Sequence, residues 1–323
     1  MNTHIKDSDK GHWVNRSPLS MRPYLQLSRL DRPVGYWLLA LPGWIGLAFA
    51  TLSHGFASSD LKWAVLILIG AIAMRGAGCT YNDIVDQDLD RQVERTALRP
   101  LPAGTVTNKQ AWIWLFAQCG VGLIVLLCLP RLAQIISLCS IPLVAAYPFM
   151  KRITWWPQVW LGLTFNWAVL VAYAAKTSTM SVPLLIIYTG LIFWTVGYDT
   201  IYACQDIEDD MKIGVKSTAR RFGDKVTGGV FLAYFGSFAL IFISTGLQSV
   251  WDSSSINILT TKVDRLAPEL RGISALLSVP FFGHLMWQVS RLNKKCEVNH
   301  LQLFKSNFWA ALILISCYVA FPS

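Results

Sequence analysis

The chain has 323 residues, of which 54% are hydrophobic and only 15% charged, and its formal net charge is +9. So little charge over such a length excludes a soluble globular enzyme or a disordered chain and points to a polytopic membrane protein. In so apolar a chain the basic excess reflects membrane topology and attraction to anionic lipid, which argues against a nucleic-acid partner.

From the N-terminus, the expected organisation is a polar cytosolic segment, 1–33, followed by a single transmembrane domain, 34–323. Residues 1–22 mix Lys6 and Lys10 with Asp7 and Asp9 and hold no apolar core. The first span is therefore expected to act as the insertion signal, and the acids count against a mitochondrial transit peptide. Nine stretches are long and apolar enough to cross a bilayer: 34–52, 63–81, 111–129, 132–150, 156–175, 182–202, 226–247, 273–289 and 304–321. The eighth is short and the ninth is flanked by Lys305. None shows strand-like alternation, so the expected class is all-α, with about nine transmembrane helices in two four-helix halves plus one. Of the 28 Lys and Arg, 21 fall on the side of the N-terminus, six on the other, and Arg75 lies inside the second span. That asymmetry puts the N-terminus in the cytosol. The seven cysteines show no CxxC or zinc-site spacing and are expected to stay reduced. The polar stretch 248–271 reads as a loop on the opposite face.

Two acidic stretches follow long apolar runs on the cytosolic side: Asn82, Asp83, Asp86, Asp88 and Asp90, then Asp206, Glu208, Asp209 and Asp210. Carboxylates at a membrane need a cavity, a proton, a cation or a basic ligand. The pairs Asp86/Asp90 and Asp206/Asp210 lie 120 residues apart, each after the second span of a four-span group, a coarse internal repeat. At helical spacing Arg75, Asn82, Asp86 and Asp90 share one stripe with Asp83 beside it, and Asp199, Tyr202, Asp206 and Asp210 share another. Glu208 faces away. Hard oxygen ligands suit Mg²⁺, which bridges one or two carboxylates to substrate phosphates. Metal ligands are thus expected at Asn82, Asp83, Asp86, Asp90, Asp206 and Asp210, with Asp86, Asp90, Asp206 and Asp210 carrying the catalysis. Arg75, Lys151, Arg152, Lys212 and Lys216 are candidate diphosphate ligands, and Arg91, Arg95, Arg99, Arg220 and Arg221 lie close by. Any single one of these bases also reads as a marker of the cytosolic face. Arg29, Asn166, Asp199 and Tyr202 are candidates for holding an acceptor or supporting the site. Asn166 reads equally as a helix–helix hydrogen bonder. Most of the Trp residues read as interface belt, Trp167 and Trp194 as possible tunnel lining, and His284 as a packed interior side chain.

At these residues the chain resembles the UbiA family of intramembrane aromatic prenyltransferases. The pattern NDxxDxxxD is met by Asn82, Asp83, Asp86 and Asp90, continuing through Arg91, Arg95, Arg99 and Pro100. The pattern YDxxYAxxD is met by Tyr198, Asp199, Tyr202, Ala203 and Asp206, trailed by Asp210, Lys212, Lys216 and Ser217. Weaker likenesses are Arg29 through Pro33 and Tyr147 through Arg152. The resemblance covers nearly the whole chain from Tyr24. It implies a nine-helix bundle in which Mg²⁺ and the two motifs hold an isoprenyl diphosphate, its tail in an apolar tunnel, while an electron-rich aromatic carbon displaces diphosphate.

Gln87 stands where bacterial relatives often carry Arg, which points to an acceptor without a carboxylate. The Tyr198–Asp210 wording, with Cys204 and Gln205, looks most like the fungal meroterpenoid enzymes. The expected reaction is therefore farnesyl transfer from farnesyl diphosphate to a polyketide-type phenol in secondary metabolism, in the endoplasmic reticulum or another endomembrane. The alternatives are a 4-hydroxybenzoate polyprenyltransferase of ubiquinone biosynthesis and, outside enzymes, a membrane transporter. A transporter usually has broken helices at a midplane site, whereas these acids gather at one face.

Overall fold

The computed structural model describes residues 11–92, 96–212, 214–251, 274–292 and 297–320. Arg95 and the part of the expected 248–271 loop beyond Trp251 lie outside them. Among the described residues all regular structure is helical: α1 Arg22–Leu27, α2 Val34–His54, α3 Ser59–Val85, α4 Gln87–Asp90, α5 Asn108–Leu127, α6 Arg131–Cys139, α7 Ile141–Ile153, α8 Pro157–Phe165, α9 Trp167–Thr177, α10 Val182–Ala203, α11 Ile207–Lys212, α12 Thr218–Phe222, α13 Val226–Trp251, α14 Val279–Arg291 and α15 Glu297–Ala320.

Eight stretches of described residues are long and apolar enough to cross a membrane. Two of them are interrupted. Arg131–Ile153 is broken at Ser140, with Pro142 in the first turn of α7, and Pro157–Thr177 at Asn166. The expected eighth span is shorter than the rest: a 3₁₀ turn, Ser274–Ser278, runs into α14, which has Pro280 in its first turn. Helix starts follow local chemistry. Thr107 and Gln110 form a reciprocal cap on α5, and Ser181 accepts the Leu184 N–H to open α10.

Each span packs beside its neighbours. α3 lies along α5, α10 along α13, and α2 touches α3, α9 and α15 and so joins the two ends of the bundle. With apolar lipid outside, close approach rather than hydrophobicity alone selects these contacts. Gly46 shows it: a Cβ there would sit 2.5 Å from the Val169 carbonyl oxygen, so α2 and α9 cross where only hydrogen fits. α5 turns Ile113, Phe116, Leu123, Ile124 and Leu127 outward, an apolar face suited to lipid. The inner core contains Phe49, Tyr173, Trp194, Tyr198, Tyr234 and Phe281. A smaller cluster of Leu27, Leu101, Val106 and Ala111 fixes the N-terminal segment and the loop before α5 over the end of α3. That cap is where the acidic motif lies.

Candidate active site

The first acidic motif is nearly one continuous helix. α3 ends at Val85, Asp86 sits at the junction with φ −99° and ψ 7°, and the ladder resumes with the Asp90 N–H on the Asp86 carbonyl at 2.8 Å. Its carboxylates nevertheless go to different partners. Asp83, expected to flank the stripe, is seven residues from Asp90, so the two share a face two turns apart. Arg99 joins them, donating to Asp90 at 2.7 Å and to Asp83 at 3.4 Å. Arg29, held in a left-handed backbone conformation (φ 54°), donates to both Asp83 oxygens at 2.7 and 2.9 Å. Asp86 points instead to the end of α7, where Lys151 takes one oxygen and Arg152 the other at 2.8 Å. Asp83 and Asp86 are wholly buried. Asp88 is solvent-facing and pairs with Arg91 at 3.3 Å. Asn82 is half-buried.

Burial disfavours the Arg29 charge, but Asp83, followed by Cys79, Asp31 and Asp90, together outweigh it and raise the guanidinium pKa. Burial also pushes the Asp90 carboxyl up, against the opposing pull of Arg99.

The second motif differs from its expected geometry. A helical face through Asp199, Tyr202, Asp206 and Asp210 requires an unbroken helix, but α10 ends at Ala203 and Asp206 lies in a bend before α11. The break is stabilised from inside: Cys204 Sγ donates to the Thr200 carbonyl at 3.3 Å and Gln205 to the Tyr202 carbonyl at 3.1 Å. Asp210 then caps the following turn, its carbonyl accepting from Val215 N–H at 3.0 Å and from Arg220 at 3.1 Å. The segment that follows the second motif reaches the end of α7, where Asp86 is held. Lys216 N–H donates to the Lys151 carbonyl at 3.0 Å, and Lys216 Nζ reaches the Ile153 carbonyl at 3.2 Å. Lys216 thus caps a helix end. Lys212 and Glu208 are exposed.

Deeper in the span, Arg75 stacks over the Phe165 ring at 5.2 Å, and its buried Nε makes no hydrogen bond. Its charge acts on Asp199, which also feels Asp206, and on the half-buried Tyr147. Tyr202 packs on Phe304 with ring centroids 4.6 Å apart. Asn166 follows Phe165 at the break between α8 and α9. Its amide nitrogen contacts the carbonyls of Gly162 and Leu191 and the Thr195 hydroxyl at 2.8–3.1 Å, joining α8 to α10. Trp194 donates to Asn307 at 2.8 Å and Trp167 to the Ile136 carbonyl at 2.8 Å, so both are packing groups. His284 is within 3.3 Å of the Ser306 hydroxyl. Sequence reasoning left the particular roles of Arg99 and Tyr147 unnamed. The seven-residue spacing of Asp83 and Asp90 is the signal that calls for a shared cation.

Among the described residues no three His, Cys, Asp or Glu side chains converge as a ready-made metal cage. Mg²⁺ does not need one, because it keeps waters and shares one or two carboxylates with substrate phosphates. Asn82 and Asp86, with the second motif tied to the same helix end, form an oxygen donor set that fits an ion arriving with a diphosphate.

The model of the UbiA prenyltransferase family matches residues 39–257. The chain is 37% identical over 307 residues to the mitochondrial 4-hydroxybenzoate polyprenyltransferase of Arabidopsis thaliana, covering 93% of this chain and 68% of that protein. It is 44% identical over 242 residues to the Homo sapiens protein of the same name, covering 72% and 63%. The chain thus spans about two thirds of these relatives' own length or slightly less. The fold is that of a UbiA homolog from Archaeoglobus fulgidus solved with GPP and Mg²⁺, with TM-score 0.60, 19% identity, and 91% and 99% of the two chains covered.

These likenesses correct the pathway expectation. Both relatives are named for 4-hydroxybenzoate, which overturns the polyketide-type phenol and meroterpenoid assignment, and both are named mitochondrial, which overturns the endomembrane assignment. The word polyprenyl gives no support to farnesyl in particular. The residues behind that expectation, Cys204 and Gln205, bond backbone carbonyls at a helix end. Transport loses its ground as well. Matched by the family model over most of its length and by relatives of this identity, the chain belongs to the UbiA prenyltransferase family.

Proposed function

We propose that the protein transfers a polyprenyl group from its diphosphate to 4-hydroxybenzoate, in the mitochondrial setting named for its relatives. The observation that carries this reading is the placement of Asp86 between Lys151 and Arg152 at the end of a span, with the second acidic segment joined to the same helix end through Lys216. A buried carboxylate beside two cations at the membrane face provides for Mg²⁺ on one side and phosphate oxygens on the other. Asn82, Asp86, Asp206 and Asp210 would hold Mg²⁺, which when bound would supply charge neutralisation for the leaving diphosphate.

The chain's own groups do the rest. Lys151 and Arg152 hold the phosphate oxygens, and the apolar span interior excludes water from the allylic carbon. The C–O bond breaks with its electrons going to diphosphate. A ring carbon activated by the phenol hydroxyl forms the new C–C bond, and the ring proton is lost.

Arg75 supports a carboxylate-bearing acceptor. An idle guanidinium donor inside a span is unfavourable alone and is satisfied by a carboxylate. This moves Arg75 from the diphosphate to the acceptor and removes the need to read Gln87 as a sign of a neutral one. Asp199 and Tyr147 lie within reach of the same guanidinium's charge.

Expression in a bacterium lacking its own 4-hydroxybenzoate polyprenyltransferase tests the reading. Restored growth on a non-fermentable carbon source and prenylated 4-hydroxybenzoate in the membranes are expected, with neither from Asp86→Asn. Inserted protein that restores neither while prenylating another phenol overturns it.

A further inference from the structure

Arg75 stands where it does because the residue facing it on α2 has no side chain. A Cβ at Gly35 would lie 2.9 Å from Arg75 Nε, 3.2 Å from Nη2 and 3.4 Å from Cζ. Real Cβ atoms essentially never come within 3.0 Å of another group, so the guanidinium would have to shift. Cζ bridges the two nitrogens and is the farthest of the three atoms. The methyl would therefore stand beyond the Nε–Nη2 edge and not over the guanidinium face, which Phe165 takes from α8 at 5.2 Å. That edge carries two parallel N–H donors in the fork that a carboxylate accepts bidentately.

The backbone gives no reason for the glycine. Gly35 lies in the first turn of α2, and the glycines with positive φ among the described residues are Gly55, Gly104, Gly214 and Gly223. Glycine is a poorer helix former than alanine, so its presence in a helical conformation calls for a steric cause. The other two α2 glycines admit neighbouring helices: Gly43 meets the Ile67 side chain at 2.7 Å and Gly46 the Val169 carbonyl oxygen at 2.5 Å. Gly35 is the one of the three that meets a charged group. The Nε donor on the edge it faces is buried without a hydrogen bond. A carboxylate that satisfies Nε approaches this edge, and a side chain at position 35 would compete for the same space.

We propose that Gly35 is the positioning residue for Arg75. By having no side chain it lets the guanidinium settle between α2 and the Phe165 ring with its Nε–Nη2 edge uncapped, and so tunes the site to acceptors that carry a carboxylate. This rests on the assignment of Arg75 to the acceptor and is independent of how metal and diphosphate are held.

The test uses the full chain in detergent, with 4-hydroxybenzoate varied at saturating polyprenyl diphosphate and Mg²⁺. Melting temperature and Mg²⁺-pyrophosphate affinity are read alongside. Gly35→Ala meets only the end of a flexible side chain and should fold. It should raise the KM for 4-hydroxybenzoate about tenfold and leave Mg²⁺-pyrophosphate affinity within about twofold. Inhibition by 4-hydroxybenzamide, which has no anion, should stay within about twofold as well. Added to Arg75→Met, Gly35→Ala should change the KM by less than about twofold, because the group it acts through is gone. A merely structural glycine gives no such coupling. An unchanged KM in Gly35→Ala, or the same tenfold rise in both backgrounds, overturns the proposal. If Gly35→Ala alone does not fold, the melting temperature decides. Folding restored by adding Arg75→Met supports the proposal, and failure in both backgrounds overturns it. If Arg75→Met itself leaves the KM unchanged, the acceptor assignment of Arg75 has failed and the role of Gly35 falls with it, a result distinct from an Arg75 effect that Gly35→Ala does not reproduce.

Discussion

Asp60 and Lys176 form a buried pair at the membrane face opposite the motifs, with side chains 6% and 5% exposed. Lys176 also bonds the Gly55 carbonyl at 2.7 Å. Removing one partner leaves the other charge buried, so Asp60→Ala should cost about 3–5 kcal/mol of stability, measured by chemical denaturation, with turnover per folded molecule unchanged. Arg75 tests the opposite kind of residue, one with a donor to spare. Arg75→Met should raise the KM for 4-hydroxybenzoate on the order of 10²-fold while leaving Mg²⁺-pyrophosphate affinity almost unchanged, as loss of a buried charge-assisted contact implies. An equal loss in both would return Arg75 to the diphosphate. At this scale the sequence was informative about residue type and weak about partners. It marked Asp83, Asp86, Arg29 and Lys151, but pairing depends on how α7 and the N-terminal cap fold back over α3, which no local spacing encodes.

Helix ends decide how the motifs are presented. Hydropathy located the spans closely, as in 34–52 against Val34–His54 and 182–202 against Val182–Ala203, because about twenty apolar residues are what a bilayer demands. Extending helical spacing past the membrane failed at the second motif, where backbone caps from Cys204 and Gln205 close α10 before Asp206. The breaks at Ser140 and Asn166 were hidden for the reverse reason, since a hydropathy window does not register an interruption of the helix inside an apolar run. Packing between spans also sets limits that hydropathy does not express. Gly46→Ala places a methyl group against the Val169 carbonyl and should destabilise the protein by about 1–3 kcal/mol, seen as a lower melting temperature, by forcing α2 and α9 apart. An unchanged melting temperature would mean that the crossing is looser than 2.5 Å implies.

Across the whole molecule, charge asymmetry and fold agree on one working face. A cysteine at Asn108 should react with an impermeant reagent from the basic side, and one at Phe56, exposed between α2 and α3, from the other. Labelling of both from one side would contradict the topology. The family was legible because two acidic motifs at the same face are costly without a ligand, whereas the acceptor was not, since Cys204 and Gln205, which set the Tyr198–Asp210 wording apart, bond backbone carbonyls at a helix end. The most direct measurement offers purified protein 4-hydroxybenzoate and an orsellinic-type phenol together, with a polyprenyl diphosphate, and identifies the products by mass spectrometry. Prenylated 4-hydroxybenzoate should dominate, disappear with EDTA and return with Mg²⁺. Prenylation of the other phenol alone, or full activity in EDTA, would contradict the account.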